Sequence, residues 1–140
     1  MSKSLLDQYK DLLKSYKSEV EKEIREVSEE ASEYTLKLVK ERSPYTKAAM
    51  RDPWRKGKAH YRSGWKVTYE EVGGLVIKFI IHNEKYPTLT HLLENGHNVA
   101  PAWQYRFGTR VRPIPHIKPS EADGYDYYYK KLATRLKNIK

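Results

Sequence analysis

Residues 1–43 contain neither glycine nor proline, and that most narrows what this chain can become. Through the stretch, apolar residues recur at Leu6, Tyr9, Leu13, Tyr16, Val20, Ile24, Val27, Ala31, Tyr34 and Leu38. Steps of three and four keep them on one helix face near heptad spacing, with one extra step of four from Val20 to Ile24. Ser43-Pro44 supplies the stop, because a residue that precedes proline disfavours helical backbone. A helix over 1–42 is therefore expected. Glu19, Glu21, Glu23, Glu26, Glu29 and Glu30, interspersed with lysines, dress its outer face. At 1.5 Å per residue, roughly 38 helical residues reach on the order of 57 Å. That exceeds the width of a compact chain of 140 residues. Part of the helix must then project, bend or lie on a neighbouring subunit. Packing on the chain's own sheet, extended onto a neighbour, fits better than a two-chain coiled coil, since Tyr9, Tyr16, Ala31 and Tyr34 make the seam irregular.

The length suits a single domain over 1–140. Its expected parts are the long helix 1–42, a mobile basic loop 43–62, a sheet region 63–118 carrying a short helix 88–95, and a closing helix 119–138. No stretch approaches the ~18–20 apolar residues that span a bilayer, so no membrane association is expected. Met1-Ser2-Lys3-Ser4 leads into an amphipathic pattern rather than a signal-peptide block, which points to synthesis in the cytosol. The absence of cysteine excludes disulfides, thiolate metal ligands and a cysteine nucleophile. Charge is uneven: residues 1–42 carry nine Lys/Arg against ten acids, and residues 43–140 carry eighteen against eight. Lys47, Arg51, Arg55, Lys56 and Lys58 concentrate in the aperiodic loop, where Pro44, Pro53 and Gly57 break any pattern. Such a loop suits phosphates or an acidic protein partner, or simply aids solubility.

Gly64-Trp65-Lys66-Val67-Thr68-Tyr69 alternates as a strand with one apolar face, and residues 75–83 are apolar on both faces over much of their length. Gly73-Gly74 marks the turn between them. Thr88 is a plausible N-cap for a short helix striped by Leu89, Leu92 and Leu93 and stopped by Asn95-Gly96. A third strand is expected over about 109–114, and Ser120 is the expected N-cap of the closing helix. Tyr125, Tyr127, Tyr128 and Tyr129 ring that last helix more widely than one core can cover, which suggests an interface. The expected fold is thus α+β: a small, mainly antiparallel sheet packed by the long N-terminal helix and a C-terminal helix.

Chemistry for catalysis is sparse. His91 and His97 stand six apart with a helix stop between them, unlike the i, i+4 spacing of a two-histidine metal clamp. His91, His97 and His116 therefore read as structural, with His116 bonded to backbone, and neither a metal nor a cofactor is expected. There is no nucleophile elbow and no phosphate loop, so the chain does not read as an enzyme. Arg110 and Arg112 alternate with Val111 and project from one strand face. Either they pair with carboxylates such as Glu94 across a subunit boundary, or they decorate a solvated edge.

Tyr61-Arg62-Ser63-Gly64-Trp65, the short helix ending Leu92-Leu93-Glu94-Asn95-Gly96-His97, and Gly108-Thr109-Arg110-Val111-Arg112-Pro113-Ile114-Pro115-His116-Ile117-Lys118-Pro119 together carry a resemblance. The chain resembles the small tail-component family of long-tailed bacteriophages, whose members complete the tail or join it to the head. The resemblance covers roughly 60–136 and a generic N-terminal helix. It implies a structural virion protein of the neck, made in the host bacterial cytoplasm and assembled as a ring, usually hexameric. The implied partners are a head-completion or connector protein and a tail-terminator or tail-tube protein, with DNA passing through the lumen. Where relatives have a short Gly- and Lys-rich loop, this chain has residues 98–107; Trp103, Tyr105 and Phe107 there suit a docking partner or local packing. Candidate inter-subunit contacts are Arg110, Arg112, Glu94, Trp103, Tyr105 and Tyr127. The alternative function is that of a small basic nucleic-acid-binding protein using the loop and the tyrosine-rich helix; a small enzyme with a histidine site ranks below it.

Overall fold

The computed structural model describes residues 3–44, 61–72 and 76–139; Lys47, Arg51, Arg55, Lys56, Lys58 and most of the expected loop lie outside them. Helix α1 spans Leu5–Arg42. Ser4 caps its start, its hydroxyl accepting the Asp7 N–H at 3.2 Å. The seam is used unevenly. Val27, Ala31 and Val39 are buried, whereas residues 5–19 are exposed throughout.

Strands β1 (Trp65–Val72) and β2 (Val76–Asn83) form an antiparallel hairpin with Trp65 opposite Asn83 and Val72 opposite Val76. The strands run longer than expected, since Glu70 and Glu71 pair with Lys78 and Ile77 rather than forming a turn. Next come α2 (Leu89–Asn95), β3 (His97–Asn98), a 3-10 turn (Pro101–Trp103), α3 (Gln104–Phe107) and β4 (Arg110–Val111). Thr88 does not cap α2, having helical backbone and no side-chain cap bond; instead Thr90 donates back to the Pro87 carbonyl at 2.7 Å. Gly96 does close the helix, at φ 72°, and a Cβ there would stand 2.5 Å from the Val111 carbonyl oxygen.

The expected third strand does not join the hairpin. Only Arg110–Val111 is strand, and it pairs with His97–Asn98 in a separate two-stranded ribbon. Pro113 and Pro115 lack the N–H that a ladder requires, so the extended segment cannot prolong a sheet beyond Arg112.

Helix α4 (Ile117–Lys137) starts three residues ahead of the expected Ser120 cap and runs antiparallel to α1. Tyr127 stacks on Tyr34 with ring centroids 4.4 Å apart. Arg135 reaches Glu23, Glu26 and Glu30 at 3.1, 3.2 and 2.7 Å, and Arg42 pairs with Asp123 at the other end. Both strands of the hairpin also touch α1, which completes an α+β fold with Val27, Ala31, Val39 and Trp65 at its centre.

Gly124 sits at a close approach of the two helices. A Cβ there would lie 2.0 Å from Thr35 Oγ1 and 3.1 Å from both Thr35 Cβ and Cγ2, so Thr35 would have to move, at the cost of the bond that its hydroxyl donates to the Ala31 carbonyl at 2.7 Å. Helix propensity alone favours alanine over glycine by about 1 kcal/mol. Overpacking should reverse the sign: Gly124→Ala is expected to destabilise the fold by about 1–3 kcal/mol, read as a lower midpoint in urea, and a raised midpoint would refute this packing.

Candidate functional site

The start of α4 has a specific need. The first N–H groups of a helix lack partners within it. Pro119, in the first turn, contributes no donor. The three N–H groups that precede it all point at Glu94: those of His116 and Ile117 donate to Oε2 at 2.7 and 2.9 Å, and that of Lys118 to Oε1 at 2.9 Å. Glu94 is 8% exposed, so both oxygens are committed inside the chain, and a negative charge sits at the positive end of the helix dipole. Burial by itself raises the Glu94 carboxyl, but the three N–H donors and nearby His116 outweigh it and hold the group below its usual range. Ser120, the expected cap, is instead buried in the first turn and donates to the His116 carbonyl at 2.5 Å.

His116 is fully buried beside this carboxylate. Its Nδ1 lies 2.7 Å from the Ile114 carbonyl, which can only accept, so Nδ1 carries the hydrogen. Nε2 lies 2.7 Å from the Tyr61 hydroxyl. Burial, and then the charge of Glu94, push the Tyr61 hydroxyl well above the usual phenol range, which keeps it a donor toward the ring.

The segment Tyr61-Arg62-Ser63-Gly64-Trp65 joins both helix ends. Arg62 donates to the carbonyls of Ser43 and Glu41, at 3.0 and 3.3 Å, at the negative end of α1. Trp65 Nε1 donates to Ser43 Oγ at 2.8 Å, and its ring meets Tyr61 and His116 edge-on. Gly64 lets Asn83 approach, since a Cβ would stand 2.4 Å from Asn83 Oδ1. Asn83 in turn bonds the Tyr61 carbonyl and the Tyr86 N–H.

The remaining residues singled out in the sequence lie apart from this junction. Arg110 and Arg112 are exposed and flank a half-buried Val111, as strand alternation requires. Arg110 donates to the Asn95 carbonyl at 3.0 Å rather than to Glu94. Trp103 and Tyr105 are 52% and 84% exposed on the 3-10 turn and the single turn of α3, which fold the segment expected as a loop. Tyr127 is half-buried in its stack on α1 with Lys131 over its ring, an intramolecular place for a residue expected at an interface. His91 is exposed, and the Nδ1 atoms of His82 and His97 are buried without a hydrogen-bond partner. Among the described residues no group of three or more His, Asp or Glu could hold a metal, and no helix is long and apolar enough to cross a membrane. A groove of about 510 Å³ between α1, the hairpin and α4 is lined chiefly by apolar groups, including Ala31, Val39, Phe79 and Tyr128.

Because Glu94 is held below its usual range, its contribution is present above the ordinary carboxylate pKa and lost as pH falls through the lower folded value. Glu94→Ala, which leaves three N–H groups without their acceptor, should cost about 2–4 kcal/mol. The gap in melting temperature between wild type and Glu94→Gln should be widest above the ordinary carboxylate range, from about pH 5 upward, and shrink as the pH falls below that range; a gap that does not change with pH would refute the charged cap. Chelation of divalent ions should leave the melting temperature unchanged, and a drop restored by zinc would contradict the structural role of the histidines.

Comparison with curated proteins and with solved structures returned no match. A family model does match, over residues 7–96, and is described as "Bacteriophage HK97-gp10, putative tail-component". The match takes in α1, the Tyr61–Trp65 segment, the hairpin and α2 as far as Gly96, and hence Arg62, Trp65 and Glu94 of the junction. The chain belongs to this HK97-gp10-like family of bacteriophage tail components.

Proposed function

We propose that this protein is a non-catalytic subunit of the phage neck, which completes the tail or joins it to the head as one member of a ring around the DNA path. The family match carries the reading as far as a tail component that assembles with other virion proteins. Support for the finer role comes from the surface. Two outward-facing arginines, Arg110 and Arg112, stand near exposed Trp103 and Tyr105 on the segment 97–112, a combination of side chains enriched at protein interfaces. The motif residues Glu94, Tyr61, Arg62, Trp65 and His116 hold the fold together and leave that segment to meet neighbours. On this reading Arg110 and Arg112 pair with carboxylates of an adjoining subunit, since Glu94 is already engaged within its own chain.

A second reading, nucleic-acid binding, rests on the excess of eighteen Lys/Arg over eight acids in residues 43–140. The two readings differ in which cations matter. Charge reversal of Arg110 and Arg112 should leave the melting temperature within a few degrees, because exposed charges contribute about 0–1 kcal/mol. The same change should lower infectious yield and leave free tails beside DNA-filled heads in electron micrographs, since an interfacial carboxylate stripped of its partner costs about 2–5 kcal/mol. Under the DNA reading, neutralising Lys47, Arg51, Arg55, Lys56 and Lys58 is the damaging change, with DNA affinity that falls steeply with salt. Normal joining with reversed Arg110 and Arg112 would overturn the interface assignment.

A further inference from the structure

Six of the fifteen large apolar side chains that stand exposed among the described residues lie on the first three turns and a half of α1. Leu5, Leu6, Tyr9, Leu12, Leu13 and Tyr16 are 49–83% exposed, and the spacing of Leu6, Tyr9, Leu13, Tyr16 and Val20 is a strict alternation of three and four. The step of four from Val20 to Ile24 breaks that register, and it falls where the chain's own packing begins. Arg135, near the end of α4, lies against Glu23, so α4 runs out near residue 20, and Leu5 to Glu19 remain exposed. Two heptad registers thus share one helix: the second packs on α4 and the hairpin, and the first, over residues 5–19, is exposed among the described residues.

We propose that the stripe Leu5–Val20 is a self-association surface, on which the N-terminal segment of α1 packs in parallel against the same segment of a second copy of this chain. Three observations select this occupant. Placing Leu6, Leu13 and Val20 at a and Tyr9 and Tyr16 at d puts polar Asp7, Gln8, Asp11, Lys14, Ser15 and Ser18 on the far side, as a helix with one partner face requires. The bare apolar side chains amount to several hundred Å², of the order of the ~800 Å² that each partner brings to a standard interface. The flanks then decide direction. Lys10 and Lys17 occupy one flank and Leu5 and Leu12 the other. An antiparallel pair sets each flank against its own copy, lysine against lysine. A parallel pair sets Leu5 beside Lys10 and Leu12 beside Lys17 of the second copy, where the lysine stems cover the leucines and the ammonium groups stay in water. The inference stands without the ring reading, although copies related by a rotation axis along the helix also run parallel.

The absence of cysteine makes the geometry directly testable, because each introduced thiol is unique. In a parallel pair residue 6 meets its own counterpart; in an antiparallel pair it meets residue 16. Purified full-length Leu6→Cys is expected to oxidise to a disulfide dimer about tenfold faster than Ser18→Cys on the far side, from the higher effective concentration in the pair. Adding Leu13→Glu to Leu6→Cys should bring the rate down to that of Ser18→Cys, with an unchanged circular dichroism spectrum because Leu13 is exposed. Sedimentation of the cysteine-free chain should show a mass that rises with concentration and falls back with Leu13→Glu. Equal oxidation rates, a preference for cross-linking Leu6→Cys to Tyr16→Cys, or a mass fixed at the monomer would overturn the proposal, as would binding of the stripe to anionic lipid vesicles without self-association. These readouts use no phage particles, so they fail or succeed separately from the neck reading.

Discussion

Three backbone N–H groups at the start of α4 have no acceptor in their own helix, and the carboxylate that receives them comes from a residue 22–24 positions earlier in the chain. A buried donor left unpaired costs more than an average hydrogen bond contributes, so this junction has one low-energy arrangement. It requires α2 to end at Gly96 and the extended segment to return past it, which the bond from the Ile114 N–H to the Leu93 carbonyl records at 2.7 Å. It also places His116 against Trp65 and Tyr61. The same centre therefore sets the hairpin, and through Trp65 and Arg62 the end of α1.

The contact between α1 and α4 depends on that placement. Gly124 against Thr35 sets the close approach, Tyr127 on Tyr34 fills the outer side, and the Arg135 and Arg42 ion pairs align the two ends. These ion pairs are partly exposed and each contributes little by itself; they select the register of helices that apolar packing already holds. A basic chain can carry its acids mainly on one helix because α4 brings cations to Glu23, Glu26 and Glu30.

Much apolar surface remains outside this arrangement. The first turns of α1, Leu89 and Leu92 of α2, Trp103, Tyr105 and Ile114 are all exposed. Scattered exposed leucines are ordinary, but a continuous stripe on a projecting helix is not. A subunit of a larger particle has reason to keep such surface, since its neighbours cover it, and membership in a tail-component family agrees with that.

Sequence alone determined the elements whose causes are local. The seam and the lack of glycine and proline define α1 to within a few residues at its start, β-branched residues mark the hairpin, and Gly96 ends α2 because it alone takes a φ of 72° there without strain. That α1 is too long to pack whole was legible from its length, which left projection, bending or cover by a neighbour open; the structure leaves residues 5–19 exposed. Tertiary structure decided what depends on partners far along the chain. Ser120 follows a proline and reads as a cap, yet Glu94 takes that task, because a carboxylate delivered from another helix satisfies three donors where a serine hydroxyl satisfies one. The third strand failed for a reason only half visible: Pro113 and Pro115 forbid a long ladder, but that β4 pairs with β3 follows from the chain reversal that the 3-10 turn and α3 make through residues 99–109. Gly124 reads as a weak point in a helix and becomes, once α1 lies across it, the position that lets the helices meet.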